Sequence, residues 1–302
     1  MEKRTLMAIK FGYHTWSYSS FGSWVPAYTL DETIKRLARI GFDGIEIGAA
    51  APHAFPPYLS PARRREVRAL LGDHGIEVSG IGPAPTGGPG YNPSSPVAEE
   101  RAATVEHYRA INELCAEWGA GSVVYLPGWV VFGTRRRQAW AWSRECLEQI
   151  ADDAAQYGLT VVVEPLAENS NLCESGEDAM ELMEDIARPN VKVMFDCSHV
   201  RYRRESLTDQ VHLMGANLHQ IHVADTTATA TRLPAGRGDE DWEGLVDALL
   251  DTGFDGYLTA ETGFHRRGID PDHDARTGLA FLKPLVARKI ADRAALGNST
   301  GR

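Results

Sequence analysis

The chain has 302 residues, of which 43% are hydrophobic and 24% charged, a composition typical of a globular protein with a substantial core. Its formal net charge of −10 argues against nucleic acid as a partner, because a phosphate backbone is bound by clustered Lys and Arg side chains. No apolar run reaches the roughly 18 residues that a membrane span requires, so no membrane partner is expected.

The predicted elements begin with an apolar strand that runs into an aromatic loop. A helix follows, and its start has the spacing of a capping box, since the Thr29 oxygen can accept the N3 amide while Glu32 reaches back. After a second strand, Ser60 and Pro61 supply an N-cap and a proline at the first position of another helix. Both starts predict helices that are fixed by local chemistry.

The alternation of strand and helix continues to the end of the chain. The predicted strands are 9–16, 44–48, 76–81, 122–126, 161–164, 193–196, 219–222 and 257–261. The predicted helices are 29–41, 60–75, 97–118, 136–157, 175–187, 206–214, 241–251 and 276–290. The loop at 82–96 is too long for a plain connector, and we expect it to cover a site or an interface.

This repetition predicts the architecture of the whole chain. Eight strand–helix units without a break in composition predict an α/β fold, a (β/α)8 TIM barrel formed as one domain by residues 1–290. Residues 291–302 have little to bury and are predicted to be a flexible tail. A doubly wound sheet is the alternative, but no GxGxxG follows the first strand, so no nucleotide cofactor is expected.

The four cysteines bear on the cellular location. Cys115, Cys146, Cys173 and Cys197 are far apart in the chain and form no CxxC pair. This spacing favours reduced thiols over a disulfide framework. A cytoplasmic protein is therefore predicted.

Strands five to eight share one further property: each ends on a residue that can bind a metal. These residues are Glu164, Asp196, His222 and Glu261. In a barrel the reactive groups lie at the carboxyl ends of the strands, so the four side chains are predicted to meet on one rim. Three carboxylates and an imidazole suit Mn²⁺, Mg²⁺, Co²⁺ or Zn²⁺, and a cation would relieve the repulsion among the carboxylates. The plain alternative is that each is a polar strand cap.

Several segments together resemble a known superfamily. They are 41–46 (GFDGIE), 163–166 (VEPL), 195–199 (FDCSH), 219–225 (HQIHVAD) and 260–261 (AE). With them the chain resembles the sugar isomerase/epimerase superfamily of xylose isomerase-like barrels from Phe11 to about Val286. Its layout is most similar to ketose 3-epimerases of the tagatose/allulose type. These motifs are specific for the superfamily and carry little information on the substrate.

The resemblance implies a role for each residue of the set. Glu164 and Glu261 would be both metal ligands and the catalytic acid/base pair, while Asp196 and His222 would complete the shell of one divalent ion, Mn²⁺ in the first place. His199 and Arg232 would contact the substrate, a small sugar or sugar-like molecule. A homo-oligomer, either a dimer or a tetramer, is expected from the same resemblance.

The residue types suit proton transfer at a carbon next to a ketone. A metal stabilises the enediolate by Lewis-acid polarisation, and two glutamates on opposite faces can remove and return a proton, which inverts the carbon. Proton transfer on one face alone gives an aldose–ketose isomerase. With a β-leaving group, the same apparatus is a lyase or dehydratase acting on a keto-cyclitol or a 3-keto-glycoside, and this is the main alternative.

The sequence departs from the epimerase pattern at two places. Those enzymes carry a second carboxylate about six residues after the position of Glu164, where this chain has Ser170, with Glu168 two positions early. The segment between His222 and Arg232 is also longer and rich in threonine. Both differences concern substrate contacts, so they leave the substrate open while the metal ligands are kept.

Aromatic and histidine residues in the loops after strands one and four are further candidates. Trp16, Trp24 and Trp129 either fill the core or an interface, or stack on a sugar ring. His14 is predicted to contact substrate. Two remaining alternatives are disfavoured: a three-zinc abasic-site endonuclease lacks its additional ligands here, and a non-catalytic barrel would not keep the full set of metal ligands.

Overall fold

The computed structural model describes residues 9–19, 27–83, 92–263 and 270–299, with side chains described as far as 296. Eight parallel strands form a closed barrel in chain order, which confirms the predicted (β/α)8 fold. The strands are β1 Lys10–His14, β2 Gly44–Gly48, β3 Glu77–Gly82, β4 Ser122–Tyr125, β5 Thr160–Val163, β6 Val191–Asp196, β7 Leu218–Val223 and β8 Tyr257–Ala260.

Helices connect successive strands on the outside of the barrel. They are α1 Leu30–Ile40, α2 Pro61–His74, α3 Ala98–Trp118, α4 Arg136–Ala155, α5 Gly176–Ile186, α6 Cys197–Tyr202, α7 Leu207–Met214, α8 Trp242–Thr252 and α9 Pro271–Ser299. Within the described ranges, no helix combines the length and the apolar character needed to cross a membrane. Most of the predicted loop at 82–96 lies outside the described residues.

The predicted helix starts are confirmed, but the capping box at Thr29 is only half formed. The Glu32 side chain does not reach back to the Thr29 N–H and instead accepts a hydrogen bond from Arg36 Nε (2.8 Å). The Thr29 side chain accepts a hydrogen bond from the Glu32 backbone N–H (3.2 Å), and Ser60 accepts one from the Arg63 N–H (3.2 Å). Gly41 ends α1 in the left-handed region at φ 103°, which a residue with a Cβ would adopt at a cost. These caps fix the places where the chain turns from strand to helix.

Strand register brings the predicted metal ligands to one rim. Asp196 on β6 pairs directly with His222 on β7, and Val223 pairs with Ala260, the residue before Glu261. The strands are buried on both faces, as expected for a parallel sheet covered by helices. Inside the barrel, one layer of buried apolar side chains lies under the rim; its members are Val124, Val162 and Met194.

The C-terminal helix differs from its predicted bounds. The predicted helix spans 276–290, whereas α9 begins at Pro271 and continues to Ser299. Beyond residue 290 the described part of the helix buries no apolar side chain. There Arg293 donates to the Asp247 carbonyl (2.8 Å) and pairs with Asp251 (2.7 Å) on α8. The domain bounds at 1–290 and the flexibility of 291–302 stay predictions.

The cysteine thiols are all buried. None of the four forms a disulfide, and burial raises the pKa of each thiol above its usual value. A buried protonated thiol is a weak nucleophile and a weak metal ligand. Cys197, next to Asp196 in the chain, therefore belongs to the core and not to the site.

Candidate metal centre and active site

The four predicted ligands converge at the carboxyl ends of β5 to β8. One donor atom from each of Glu164, Asp196, His222 and Glu261 lies within 4.8 Å of the donor atoms of the others. All four side chains belong to buried residues, with exposures of 5%, 0%, 2% and 9%. The sequence therefore predicted the membership of this cluster, and the barrel register explains why residues so far apart in the chain meet.

His222 Nδ1 lies at the centre of the cluster. It is 3.2 Å from Glu164 Oε1 and 3.1 Å from Glu261 Oε2, yet among the described residues it makes no hydrogen bond. Two ligands bound about 2.1 Å from one cation and roughly 90° apart lie about 3 Å from each other. The spacing and the unpaired buried nitrogen both fit donor atoms that share a divalent cation.

The other side of the His222 ring faces Glu46, a residue for which the sequence predicted no role. Its oxygens lie 3.1 and 3.2 Å from His222 Nε2, and it also accepts a hydrogen bond from Gln220 Nε2 (2.9 Å). Glu46 is fully buried at the middle of β2. A charged residue in a strand that is otherwise apolar and glycine was the signal that could have identified it.

The charges around His222 are strongly unbalanced. Burial raises the pKa of Glu46, but the charge and hydrogen bonds of the neighbouring imidazoles lower it to about 2. Burial alone would raise the pKa of Glu261, but the charges of Arg232 and His222 outweigh burial and lower this pKa well below its usual value. Burial lowers the pKa of His222, whereas Glu46 and Glu164 raise it well above its usual value. The cluster is anionic and favours positive charge at its centre.

Arg232 places a guanidinium against the same cluster. Its Nη1 lies 2.9 Å from Asp196 Oδ2 and 3.0 Å from Glu261 Oε2, and the residue is 5% exposed. Its backbone has φ 54°, an uncommon conformation for a residue with a side chain. The Gly263 N–H donates to the Arg232 carbonyl (2.8 Å), which ties this strained residue to the end of β8.

Asp225 organises the loop that carries Arg232. Its carboxylate is fully buried, and its backbone pairs with Leu233, the residue after Arg232. The carboxylate accepts hydrogen bonds of 2.8–3.1 Å from N–H groups of Thr226, Gly236, Arg237, Glu240 and Trp242. The predicted difference from the epimerases after His222 is therefore an ordered loop built around one carboxylate.

We predict that Asp225→Asn destabilises the protein by about 3 kcal/mol, because one acceptor oxygen becomes an N–H₂ group among buried N–H donors. Chemical denaturation measures the change in the free energy of unfolding. Asp239→Asn, an exposed residue of the same loop, is the matched control and should change stability by less than about 0.5 kcal/mol. Equal effects of the two substitutions would contradict the role of Asp225.

His199 faces the cavity above the ligand cluster. Its Nδ1 accepts a hydrogen bond from the Glu168 N–H (3.3 Å), so the neutral ring carries its proton on Nε2 and can donate it. The cavity has a volume of about 100 Å³. Three of the four predicted ligands line it, namely Glu164, His222 and Glu261, whereas Asp196 does not. Apolar side chains complete its wall, namely Pro83, Val124, Leu126 and Leu166.

Of the ring-bearing residues that were predicted to contact substrate in the loops, only some line the cavity. His14 and Trp16 line the cavity, and their rings stack with centroids 5.4 Å apart. Trp129 is half-buried beside Asn92, to which its backbone hydrogen-bonds (3.0 and 3.1 Å), and it is not among the described residues lining the cavity. Trp24 lies outside the described residues.

The position of Trp16 depends on the absence of a side chain at Gly48. A Cβ added to Gly48 would lie 2.9 Å from Trp16 Cε2. We predict that Gly48→Ala costs about 1–3 kcal/mol of stability and shifts the tryptophan fluorescence, because the indole must move. Gly72→Ala on α2 is the control: its Cβ has no neighbour within 4 Å, and a helical Ala is favoured over Gly. An unchanged spectrum for Gly48→Ala would contradict this packing.

The segment after Glu164 explains the first departure from the epimerase pattern. Ser170, at the offset of the missing carboxylate, donates to the Gly128 carbonyl (2.6 Å) and so holds two loops together. The cavity instead receives Asn169, while Glu168 is exposed. An amide therefore stands at the cavity edge, where it can both donate and accept hydrogen bonds.

The chain is similar in sequence to several sugar epimerases. A fructoselysine 3-epimerase from Escherichia coli is 24% identical over 234 residues, which are 77% of this chain and 85% of that protein. A D-psicose 3-epimerase from Agrobacterium fabrum is 28% identical over 297 residues, 89% of this chain and 94% of that protein. These relatives confirm the predicted resemblance to ketose 3-epimerases and the prediction that the chain is an enzyme.

Comparison of the fold with solved structures also finds epimerases. The structure of D-psicose 3-epimerase with D-tagatose from Clostridium cellulolyticum has a TM-score of 0.78 at 21% identity, covering 92% of this chain and 99% of that one. Residues 34–285 match the family described as the xylose isomerase-like TIM barrel. Because that match extends over most of the 302 residues, the chain belongs to the xylose isomerase-like TIM barrel family.

Proposed function

We propose that the protein is a divalent-metal-dependent sugar epimerase or isomerase, of the ketose 3-epimerase kind, that transfers a proton at the carbon next to a ketone. The observation that carries this proposal is the convergence of three carboxylates and the His222 imidazole, whose Nδ1 makes no hydrogen bond among the described residues. The epimerase relatives support the same reaction class over most of the chain.

Glu164, Asp196, His222 and Glu261 would hold one divalent cation. Three oxygen donors and one nitrogen donor suit Mn²⁺, Mg²⁺, Co²⁺ or Zn²⁺, and Mn²⁺ comes first because of the resemblance to the epimerases. When bound, such a cation supplies Lewis-acid polarisation of a ketone oxygen and stabilises the enediolate charge. The carboxylates around His222 would attract this divalent cation electrostatically.

Glu164 and Glu261 would exchange protons with the substrate carbon. Each presents one carboxylate oxygen to His222 Nδ1, which leaves its second oxygen for proton transfer. They follow strands β5 and β8, so they approach the cavity from different sides of the rim. One glutamate removes the proton and the other returns a proton to the opposite face, which inverts the carbon.

His199 and Arg232 would orient the substrate. The Nε2–H of His199 can donate to a hydroxyl or carbonyl oxygen in the cavity, since its Nδ1 is used by the Glu168 N–H. The Arg232 guanidinium, held against Asp196 and Glu261, adds donors at the ligand side of the cavity. His14 and Trp16 would form the wall on which a sugar ring rests.

The substrate would be a small sugar or a sugar derivative. The relatives named for fructoselysine and D-psicose show that related chains serve ketoses of different size. The uncharged Asn169 at the cavity edge favours hydroxyl groups over charged groups there. A homo-oligomeric state and a cytoplasmic location stay predictions.

Solvent-deuterium incorporation tests this proposal. Candidate ketoses, D-psicose and fructoselysine first, are incubated with the Mn²⁺-supplemented protein in D₂O and followed by NMR. The proposal predicts deuterium at the carbon next to the ketone, together with the epimer or the isomerised sugar. An unsaturated product would indicate the lyase reaction instead, and no exchange with a panel of ketoses and keto-glycosides would contradict the proposal.

A further inference from the structure

We propose that Glu46 is a positioning residue, whose carboxylate holds the His222 imidazole in the tautomer that directs the Nδ1 lone pair toward the cation site. This inference rests on the proposed function, because it assigns a role to Glu46 through the predicted metal ligand. Glu46 itself lies on β2, outside the run of strands β5 to β8 whose ends carry the four predicted ligands.

The carboxylate of Glu46 is held in place from below. Gln220 donates from its side-chain N–H₂ group to Glu46 Oε2 (2.9 Å), and this amide is itself buried in the barrel. Gln220 lies on β7 two residues before His222, so its side chain points to the same barrel interior. The same strand thus carries the anchor of Glu46 and the imidazole that Glu46 contacts.

His14 contributes a second fixed donor. Its Nδ1 accepts a hydrogen bond from the Trp16 N–H (3.1 Å), so the neutral ring carries its proton on Nε2. That Nε2 lies 3.3 Å from Glu46 Oε1. Since Gln220 and His14 are both donors, Glu46 is an acceptor on both oxygens, as an ionised carboxylate is.

These contacts determine the tautomer of His222. Nε2 has a hydrogen-bonded acceptor at 3.1 Å, whereas Nδ1 makes no hydrogen bond among the described residues. In the neutral imidazole the proton therefore lies on Nε2, and Nδ1 keeps a lone pair. That nitrogen faces Glu164 and Glu261 without a hydrogen bond to either. In the opposite tautomer, a proton on Nδ1 would occupy the position of a cation and prevent coordination.

A glutamine at position 46 would disturb this arrangement. Glutamine keeps the size of the side chain but replaces one acceptor oxygen with an N–H₂ group. That group would face an N–H donor of His14, Gln220 or His222, so two donors would be in contact and one hydrogen bond would be lost. Partners of this kind behind a metal-binding histidine typically change metal affinity 10–100-fold when they are mutated. We therefore expect Glu46→Gln to weaken Mn²⁺ binding by about 10–100-fold.

Mn²⁺ titration of the full chain, followed by electron paramagnetic resonance, measures this affinity. Glu184→Gln, an exposed residue on α5, is the matched control and should bind Mn²⁺ like the unmodified protein. If Glu46→Gln does not fold, Glu46→Asp keeps the charge but withdraws it by one methylene, and the same loss of affinity is expected. A purely structural role would lower the melting temperature and leave the Mn²⁺ affinity of the folded variant unchanged, which would overturn the proposal.

The tautomer is read directly from the ¹⁵N shifts of the His222 ring in the Zn²⁺-loaded protein. We expect a protonated Nε2 and a coordinated Nδ1, with this pattern lost in Glu46→Gln. A proton on Nδ1 in the unmodified protein, with metal bound elsewhere, would overturn the role of Glu46. Failure of the unmodified protein to bind any divalent metal would instead remove the proposed function together with this inference, so the two failures are distinguishable.

Discussion

Replacing Glu261 with Gln is expected to lower the rate of proton exchange by at least about 10³-fold while leaving the fold intact. Glutamine cannot accept the substrate proton, and general acid–base groups contribute roughly 10²–10⁴-fold to such rates. Loss of one ligand charge adds to the effect. Deuterium exchange by NMR, at saturating Mn²⁺ so that weaker metal binding is compensated, measures the rate.

Two further variants serve as a parallel test and as a control for Glu261→Gln. Glu164→Gln should cause a loss of similar size, since the two glutamates are assigned to the two faces of the substrate. Glu184→Gln on the surface of α5 should retain full activity. Residual exchange above about one hundredth in folded Glu261→Gln would contradict the two-carboxylate mechanism, because an acid–base group contributes at least about 10²-fold.

Removal of divalent metal by a chelator is expected to abolish activity and to lower the melting temperature. A ligand at about 1,000 times its dissociation constant stabilises the folded state by about 4 kcal/mol, which corresponds to a shift of several degrees for a domain of this size. Repulsion among the buried carboxylates of Glu164, Asp196 and Glu261 returns when the cation leaves. Thermal unfolding with and without chelator, followed by addition of Mn²⁺, measures both the loss and the recovery.

Asp196→Asn provides the control for this experiment. The variant keeps the size of the side chain but removes one ligand charge, so the chelator should change its melting temperature by much less. A chelator shift of the same size in this variant would place the stabilising metal outside the predicted cluster. Full activity of the unmodified protein after exhaustive chelation would contradict metal dependence.

The sequence predicted the fold and the convergence of the four side chains because both depend on local patterns. Apolar runs that end on Glu164, Asp196, His222 and Glu261 indicate strands and their carboxyl ends, and the closed barrel then brings those ends together. No detail of packing is required for that step. The same reasoning identified the helix starts, since caps are formed by residues that are adjacent in the chain.

Sequence patterns did not predict the contacts between elements that are distant in the chain. The role that we propose for Glu46 follows only from the barrel geometry, which places it against His222, 176 positions further along the chain. Asp225 belongs to the sequence motif at 219–225. The N–H groups that surround its carboxylate, however, come from a loop, and hydrophobic periodicity does not predict the course of a loop. The extension of α9 likewise depends on ion pairs with α8 and not on an apolar stripe.

The metal content of the protein purified without chelator tests the central claim most directly. Elemental analysis of the unmodified chain should find close to one equivalent of divalent metal per chain, with Mn²⁺ binding restored after stripping. His222→Ala, which removes the central nitrogen ligand, should retain a small fraction of that amount under the same conditions. Less than about half an equivalent in the unmodified protein after Mn²⁺ supplementation, or equal metal content in the two proteins, would contradict a metal centre formed by Glu164, Asp196, His222 and Glu261.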